Sequence, residues 1–211
     1  MALLFGLLAP LQLFNDIVLR IGRALAIAAL AIMVCIILGQ IFFRYLSDGW
    51  AFDQVRTYVW AGLPKAALSW TEEGARFLML WMTGLIAPMA YRYGGFVSID
   101  MLERALPRIL AAILGLLLTC IAAIVIIYCV ILGWDNVTSF TASGRSGSLE
   151  LPLDWFGGER IRFKNRWAFA SLFVGFCLLL IVNTELLLRQ VISLFGGGDN
   201  LRPFETTERI D

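Results

Sequence analysis

The sequence predicts an all-α integral membrane protein, with four transmembrane helices and an interfacial amphipathic helix between the first and second. Three observations predict it. Hydrophobic residues make up 60% of the 211 and charged residues only 16%, with a mean hydropathy of +0.80. Soluble domains carry about 25% charged and about 45–50% apolar residues. The apolar residues are also gathered into long blocks, which a soluble fold rarely needs. Four of these blocks approach or exceed the roughly 20 residues that cross a hydrocarbon layer of about 30 Å. Residues 1–211 read as a single membrane domain.

The first block, residues 22–43, is flanked by Arg20 and Arg23 on one side and Arg44-Tyr45 on the other, with Gln40 its one strongly polar interior residue. The second, 75–91, is short and contains Thr83 and Pro88. A proline is tolerated inside a spanning helix and bends it. The third, 109–134, is nearly unbroken Leu, Ile, Val and Ala, and the fourth, 167–188, ends in Asn183, Thr184 and Glu185. Ahead of them, MALLFGLLAPLQLF lacks a basic n-region and a clear cleavage site, so it reads as a stretch lying on the membrane and not as a cleaved signal.

The connections divide into two kinds. In residues 48–66, Phe52, Val55 and Val59 recur at helical spacing beside Trp50, Tyr58 and Trp60, with Asp53, Gln54, Arg56 and Thr57 as a polar face. That pattern predicts an amphipathic helix in the interface, stopped or bent by Pro64. Arg44, Tyr45, Trp50 and Trp60 are the candidate interfacial anchors. Residues 135–166 are rich in Gly, Ser and turn formers and read as an extramembrane loop. Basic residues are shared almost evenly between the two sides of a four-span topology, so the positive-inside rule does not orient it.

Composition removes several functions. There is no histidine, hence no usual haem ligand, proton shuttle or commonest zinc ligand. Cys35, Cys120, Cys129 and Cys177 stand inside apolar blocks without a CxxC spacing and read as small hydrophobes. No catalytic, cofactor or metal site is expected, and a net charge of +1 offers nothing to nucleic acid.

One charged stretch stands out. In LSWTEEGARFLMLW, Ser69 to Glu72 is an S-x-x-E capping box, with Ser69 as helix cap. Carboxylates in a first turn suit the positive helix end. Arg76 stands four residues after Glu72 and three after Glu73, within helical pairing reach. Charged groups at membrane depth are costly unless paired. Two acids against one base leave a carboxylate without an obvious internal mate, so part of this cluster is a candidate contact with another protein.

The run LSWTEEGARFLMLWMTGLIAPMAYRYGGFVSIDML, residues 68–102, resembles the signature of the small membrane subunit of TRAP transporters, the DctQ-type family. The matching residues are Trp70, Glu72, Glu73, Arg76, Trp81, Arg92, Ile99 and Asp100. IFFRYL (Ile41 to Leu46) and SGSLELPLDW (Ser146 to Trp155) are similar to the family's end of span one and its third loop. Two departures stand: Phe96 or a neighbour occupies the place of a frequent histidine, and the Ser47–Leu68 insert is longer than usual.

The resemblance implies a small four-helix subunit that supports a large permease subunit during sodium-driven uptake of an organic acid delivered by a periplasmic solute-binding protein. It also implies a multi-pass protein of the bacterial inner membrane with both termini cytoplasmic. Trp70, Glu72, Glu73, Arg76, Trp81, Arg92 and Asp100 become the candidate subunit-interface residues. The polar and small residues of spans one and two suggest that these face the partner, and aliphatic span three the lipid. The alternative is a self-contained structural or channel-like four-helix membrane protein. An enzyme finds no support in the motifs present.

Overall fold

The computed structural model describes residues 2–46, 69–93, 107–151 and 161–194. The predicted amphipathic segment 48–66, with Trp50 and Trp60, and the candidate Asp100 lie outside the described residues. Among the described residues four helices carry the fold: α1 (Ala2–Leu46), α2 (Ser69–Arg92), α3 (Arg108–Thr138) and α4 (Arg166–Leu194). A short 3-10 helix (Phe140–Ser143) and a hairpin of β1 (Arg145–Leu151) and β2 (Ile161–Lys164) join α3 to α4.

The first helix is much longer than the block that predicts it. MALLFGLLAPLQLF is not a separate surface stretch; from Ala2 onward it is continuous with span one, with Pro10 inside the helix. At 1.5 Å per residue, α1 is about 67 Å long, more than twice a hydrocarbon layer. Among the described residues, three helices hold segments long and apolar enough to cross a membrane: Gly6–Phe42, Ile109–Thr138 and Arg166–Leu194. Helix α2 is not among them, because Arg76, Trp81, Thr83, Pro88, Tyr91 and Arg92 dilute its apolar run.

Helix α3 starts at a proline, which needs no N–H partner at a helix entry; Pro107 is extended, and its carbonyl accepts from Ala111 N at 3.0 Å. Its last turn is finished by side chains. Ser139 Oγ donates to the Asn136 carbonyl at 2.8 Å, and Arg166 Nε to the Val137 carbonyl at 3.0 Å. The extended Ser139 ends the helix. Such bonds satisfy carbonyls that have no intrahelical partner.

The helices lie side by side in the order α1, α2, α4, α3, with α1 also touching α4. A Cβ on Gly22 of α1 would meet Leu85 of α2, and Asp16 of α1 pairs with Arg92 of α2, so α1 and α2 are antiparallel. Gly84 meets Gly175 and Arg92 meets Glu185, so α2 and α4 run parallel. Gly133 meets Phe173 and Thr119 meets Gln190, so α3 is antiparallel to α4.

The central α2–α4 crossing is built on small residues. A Cβ on Gly84 would stand 2.7 Å from the Ser171 carbonyl oxygen, and one on Gly175 would stand 2.9 Å from Gly84 Cα. Only glycine lets the two backbones approach this closely, which is how membrane helices gain dispersion contacts without a hydrophobic driving force between them. The outer helices α1 and α3 turn broad apolar faces away from the bundle.

Residues 135–166 are not one irregular loop. Helix α3 continues through Thr138, and the antiparallel strands pair Arg145 with Lys164, Glu150 with Arg162 and Leu151 with Ile161, the register slipping between Arg145 and Glu150. The strand signal is in the sequence: Ser148-Leu149-Glu150-Leu151 and Ile161-Arg162-Phe163-Lys164 alternate apolar and polar. Phe163 carries the hairpin onto α2 by packing on Phe77, ring centroids 5.6 Å apart.

Candidate functional site

Two charged sites lie at opposite ends of α2. The first is the stretch that opens it. Ser69 is the first helical residue, and its side chain lies outside what is described. Arg76 Nη2 donates to Glu72 Oε1 at 2.6 Å, the i,i+4 pair that the spacing predicts, with the two side chains 73% and 68% exposed. Exposed pairs contribute about 0–1 kcal/mol, so this one does little for the fold. Glu73 is half-buried, and Thr71 is buried. Trp70 and Trp81 are half-buried, Trp81 packing on Phe77 with centroids 6.4 Å apart. Arg44 and Tyr45 are exposed at the end of α1.

The second site is a buried clasp at the other end. Glu185 of α4 is 0% exposed. Its Oε2 accepts from Asn15 Nδ2 of α1 at 2.6 Å, and its Oε1 accepts from Arg92 Nη2 of α2 at 2.8 Å. Arg189, one turn on, brings Nε to 3.3 Å from the same Oε1. Arg92 Nη1 also donates to Asp16 Oδ1. Two carboxylates thus meet two guanidiniums, and the cluster is formally neutral. Low dielectric strengthens each attraction and raises the cost of leaving any member alone.

A second branch ties in α3. Tyr91 Oη donates to Asn183 Oδ1 at 2.6 Å, and Asn183 Nδ2 reaches the Thr119 carbonyl at 3.5 Å. Thr119 Oγ1 lies 2.8 Å from both the Gly115 carbonyl oxygen and Gln190 Oε1. All four helices therefore contribute to one polar layer.

The clasp corrects one sequence expectation. Arg92 is a candidate for the surface toward a partner, but it is buried between Asp16 and Glu185 and its charge is met inside the chain. Asn15, Asp16 and Arg189 carry no signal in any local motif. Glu185 is visible in the sequence as an acid inside an apolar helix, the kind of residue that demands a partner. The partners lie 93 and 170 positions away.

Between Arg76 and Arg92, α2 has no ionisable side chain other than the Tyr91 phenol. Sixteen residues of rise are about 24 Å, close to a hydrocarbon thickness. These features define a multi-helix membrane protein whose charges border its apolar runs. The chain belongs to the family of tripartite ATP-independent periplasmic transporters, DctQ component, whose family model matches residues 33–193. No curated protein and no solved structure matches it. The matched region begins inside α1 and leaves residues 1–32 outside, including Asn15 and Asp16 of the clasp.

Proposed function

We propose that this chain is the small membrane subunit of a TRAP transporter. It packs against the large permease subunit and supports it during sodium-driven uptake of an organic acid-type solute handed over by a periplasmic solute-binding protein. All four helices cross the bacterial inner membrane, with both termini cytoplasmic. The exposed Glu72–Arg76 pair with Trp70, Glu73 and Trp81, and Asp100 beyond α2, are its contacts with the larger subunit.

The observation that carries this reading is the distribution of charge. The ionisable groups of the clasp, buried Arg92 and Glu185 with Arg189 and the exposed Asp16, neutralise one another across three helices. The well-exposed Glu72–Arg76 pair, by contrast, contributes little to the chain's own stability. A transport site near the midplane is usually built from broken helices with polar groups facing a substrate. The clasp instead holds continuous helices together, as a supporting subunit requires. Helix α2, packed between α1 and α4, shares their crossing.

The test is reconstitution. The large subunit goes into proteoliposomes with and without this chain, the solute-binding protein is added outside, and sodium-dependent uptake of a labelled organic acid is measured. Omitting this chain is expected to abolish uptake. Undiminished uptake without it overturns the proposal.

A further inference from the structure

We propose that the hairpin end of the seam between α3 and α4 is a binding site for an anionic phospholipid. The site needs only the membrane-spanning bundle, so it stands or falls separately from the transporter reading.

The first observation fixes its depth. The apolar run of α3 gives way at Trp134 to Asp135 and Asn136, and that of α4 begins just after Arg166. The two helices touch at this level. Arg166 Nε donates to the Val137 carbonyl at 3.0 Å, and Trp134 packs on Phe173, two turns along α4 from Arg166, with ring centroids 5.6 Å apart. Both helices therefore leave the hydrocarbon together, and Arg166 stands at the headgroup level.

The second observation is charge. Lys164 and Arg166 are exposed, and among the described residues no carboxylate pairs with either. The bond from Nε pins the Arg166 guanidinium, and its two Nη groups have no partner among the described residues. The acids of this end are placed elsewhere. Asp135, two residues before Val137, stands about 200° round α3 and so points away from α4. Glu150 is opposite Arg162 in the hairpin. The acids of α2 lie behind α4, whose Ser171 and Gly175 face α2 while Arg166 and Phe173, seven apart, face α3. The hairpin register also sets Arg145 directly opposite Lys164. Like charges so placed are destabilising, and an anion beside them offsets that cost.

The third observation is the surface below the cations. Trp134 is 55% exposed despite its contact with Phe173, and its indole N–H donates to no group among the described residues. Exposed Ile131, Ile127 and Ile124 follow it at spacings of three, four and three, on one side of α3. Ten residues rise about 15 Å, the depth of one leaflet.

Together these read as one amphiphilic ligand. A pinned guanidinium and an ammonium take a phosphate. The indole N–H takes an ester carbonyl just beneath it, and the isoleucines take an acyl chain. A free phosphate uses only the first of these. A zwitterionic lipid brings its own cation toward Lys164 and Arg166, so the occupant carries net negative charge.

The experiment uses the full chain in phosphatidylcholine vesicles containing phosphatidylglycerol. One lipid at a time carries bromine on its acyl chains, which quenches a neighbouring indole. The difference between the unaltered chain and Trp134→Phe isolates the signal of Trp134. The expected result is a preference of about tenfold for phosphatidylglycerol at Trp134. Lys164→Gln/Arg166→Gln should bring the two lipids to parity. Arg20→Gln/Arg23→Gln, which removes two exposed cations from α1, should leave the preference as it was. Lys164→Gln alone spares the bond between Arg166 and Val137 and should cut the preference about threefold; it decides if the double variant melts early.

Equal quenching by the two lipids in the unaltered chain overturns the proposal. So does a preference that survives Lys164→Gln undiminished, or one that falls as far with Arg20→Gln/Arg23→Gln. Inorganic phosphate that erases the preference, where sodium chloride of the same ionic strength does not, overturns it too, because the site would then hold a free anion.

Discussion

Replacing Glu185 by leucine tests the clasp most directly. The substitution keeps the volume and removes the charge that two hydrogen-bond donors, Asn15 and Arg92, and the nearby Arg189 share. Arg92, which is 3% exposed in its side chain, then keeps Asp16, itself 51% exposed. Asn15 loses its acceptor. Arg189 is close enough to the surface to lift its head into water, which reduces its share of the loss. Removing one partner of a buried pair costs about 3–5 kcal/mol, and the relief at Arg189 favours the lower end, near 3. For a chain of this size each kcal/mol is worth about 2–4 °C, so the midpoint should fall by about 6–12 °C.

Intrinsic fluorescence of the seven tryptophans during heating in detergent reads this out. The companion variants Arg92→Met and Arg92→Met/Glu185→Leu complete a cycle. The double variant is expected to lose clearly less than the sum of the singles, because the second change removes the charge that the first stranded. A fall of under about 2 °C for Glu185→Leu, with singles additive to about 0.5 kcal/mol, would refute the reasoning.

Three other substitutions separate packing, surface and network. Gly175→Leu puts side-chain atoms where Gly84 Cα already stands 2.9 Å from a Cβ, so it should destabilise by about 1–3 kcal/mol as the helices part; a crosslink between cysteines placed on α2 and α4 should weaken with it. Glu72→Gln/Arg76→Gln removes a well-exposed pair and should leave the midpoint within about 2 °C, yet lower the yield of complex with the large subunit. Thr119→Val is isosteric and removes the hydroxyl next to Gln190, which should cost about 0.5–1.5 kcal/mol in the same melting assay without loss of assembly.

Much of the helical layout was legible because a lipid-crossing segment announces itself locally. Residues 109–134 and 167–188 are apolar throughout and need no neighbour to be helical; in the structure these residues lie within α3 and α4. The Glu72–Arg76 pair was legible for a similar reason, since i,i+4 spacing on a helix places partners together without tertiary help. Two features read less well. The N-terminal stretch looked separate because Asn15, Asp16, Arg20 and Arg23 interrupt its hydrophobicity, and polar residues inside a helix look like an end until their partners are seen. The hairpin was hidden because its two strands are short and stand nine residues apart, with glycine and serine beside the alternating stretches.

The sequence by itself determined that this chain belongs in a membrane, where its long apolar segments run, and which end of α2 would be acidic, because transfer into lipid and first-turn electrostatics are summed over neighbouring residues. Tertiary structure alone decided that Arg92 faces inward and that Asn15 and Asp16 matter to the bundle. The cost of a buried charge depends on which groups from other helices arrive beside it. Parallel packing of α2 on α4 through Gly84 and Gly175 places Arg92 and Glu185 at one level, and α1 in antiparallel contact with α2 delivers Asp16 to meet them.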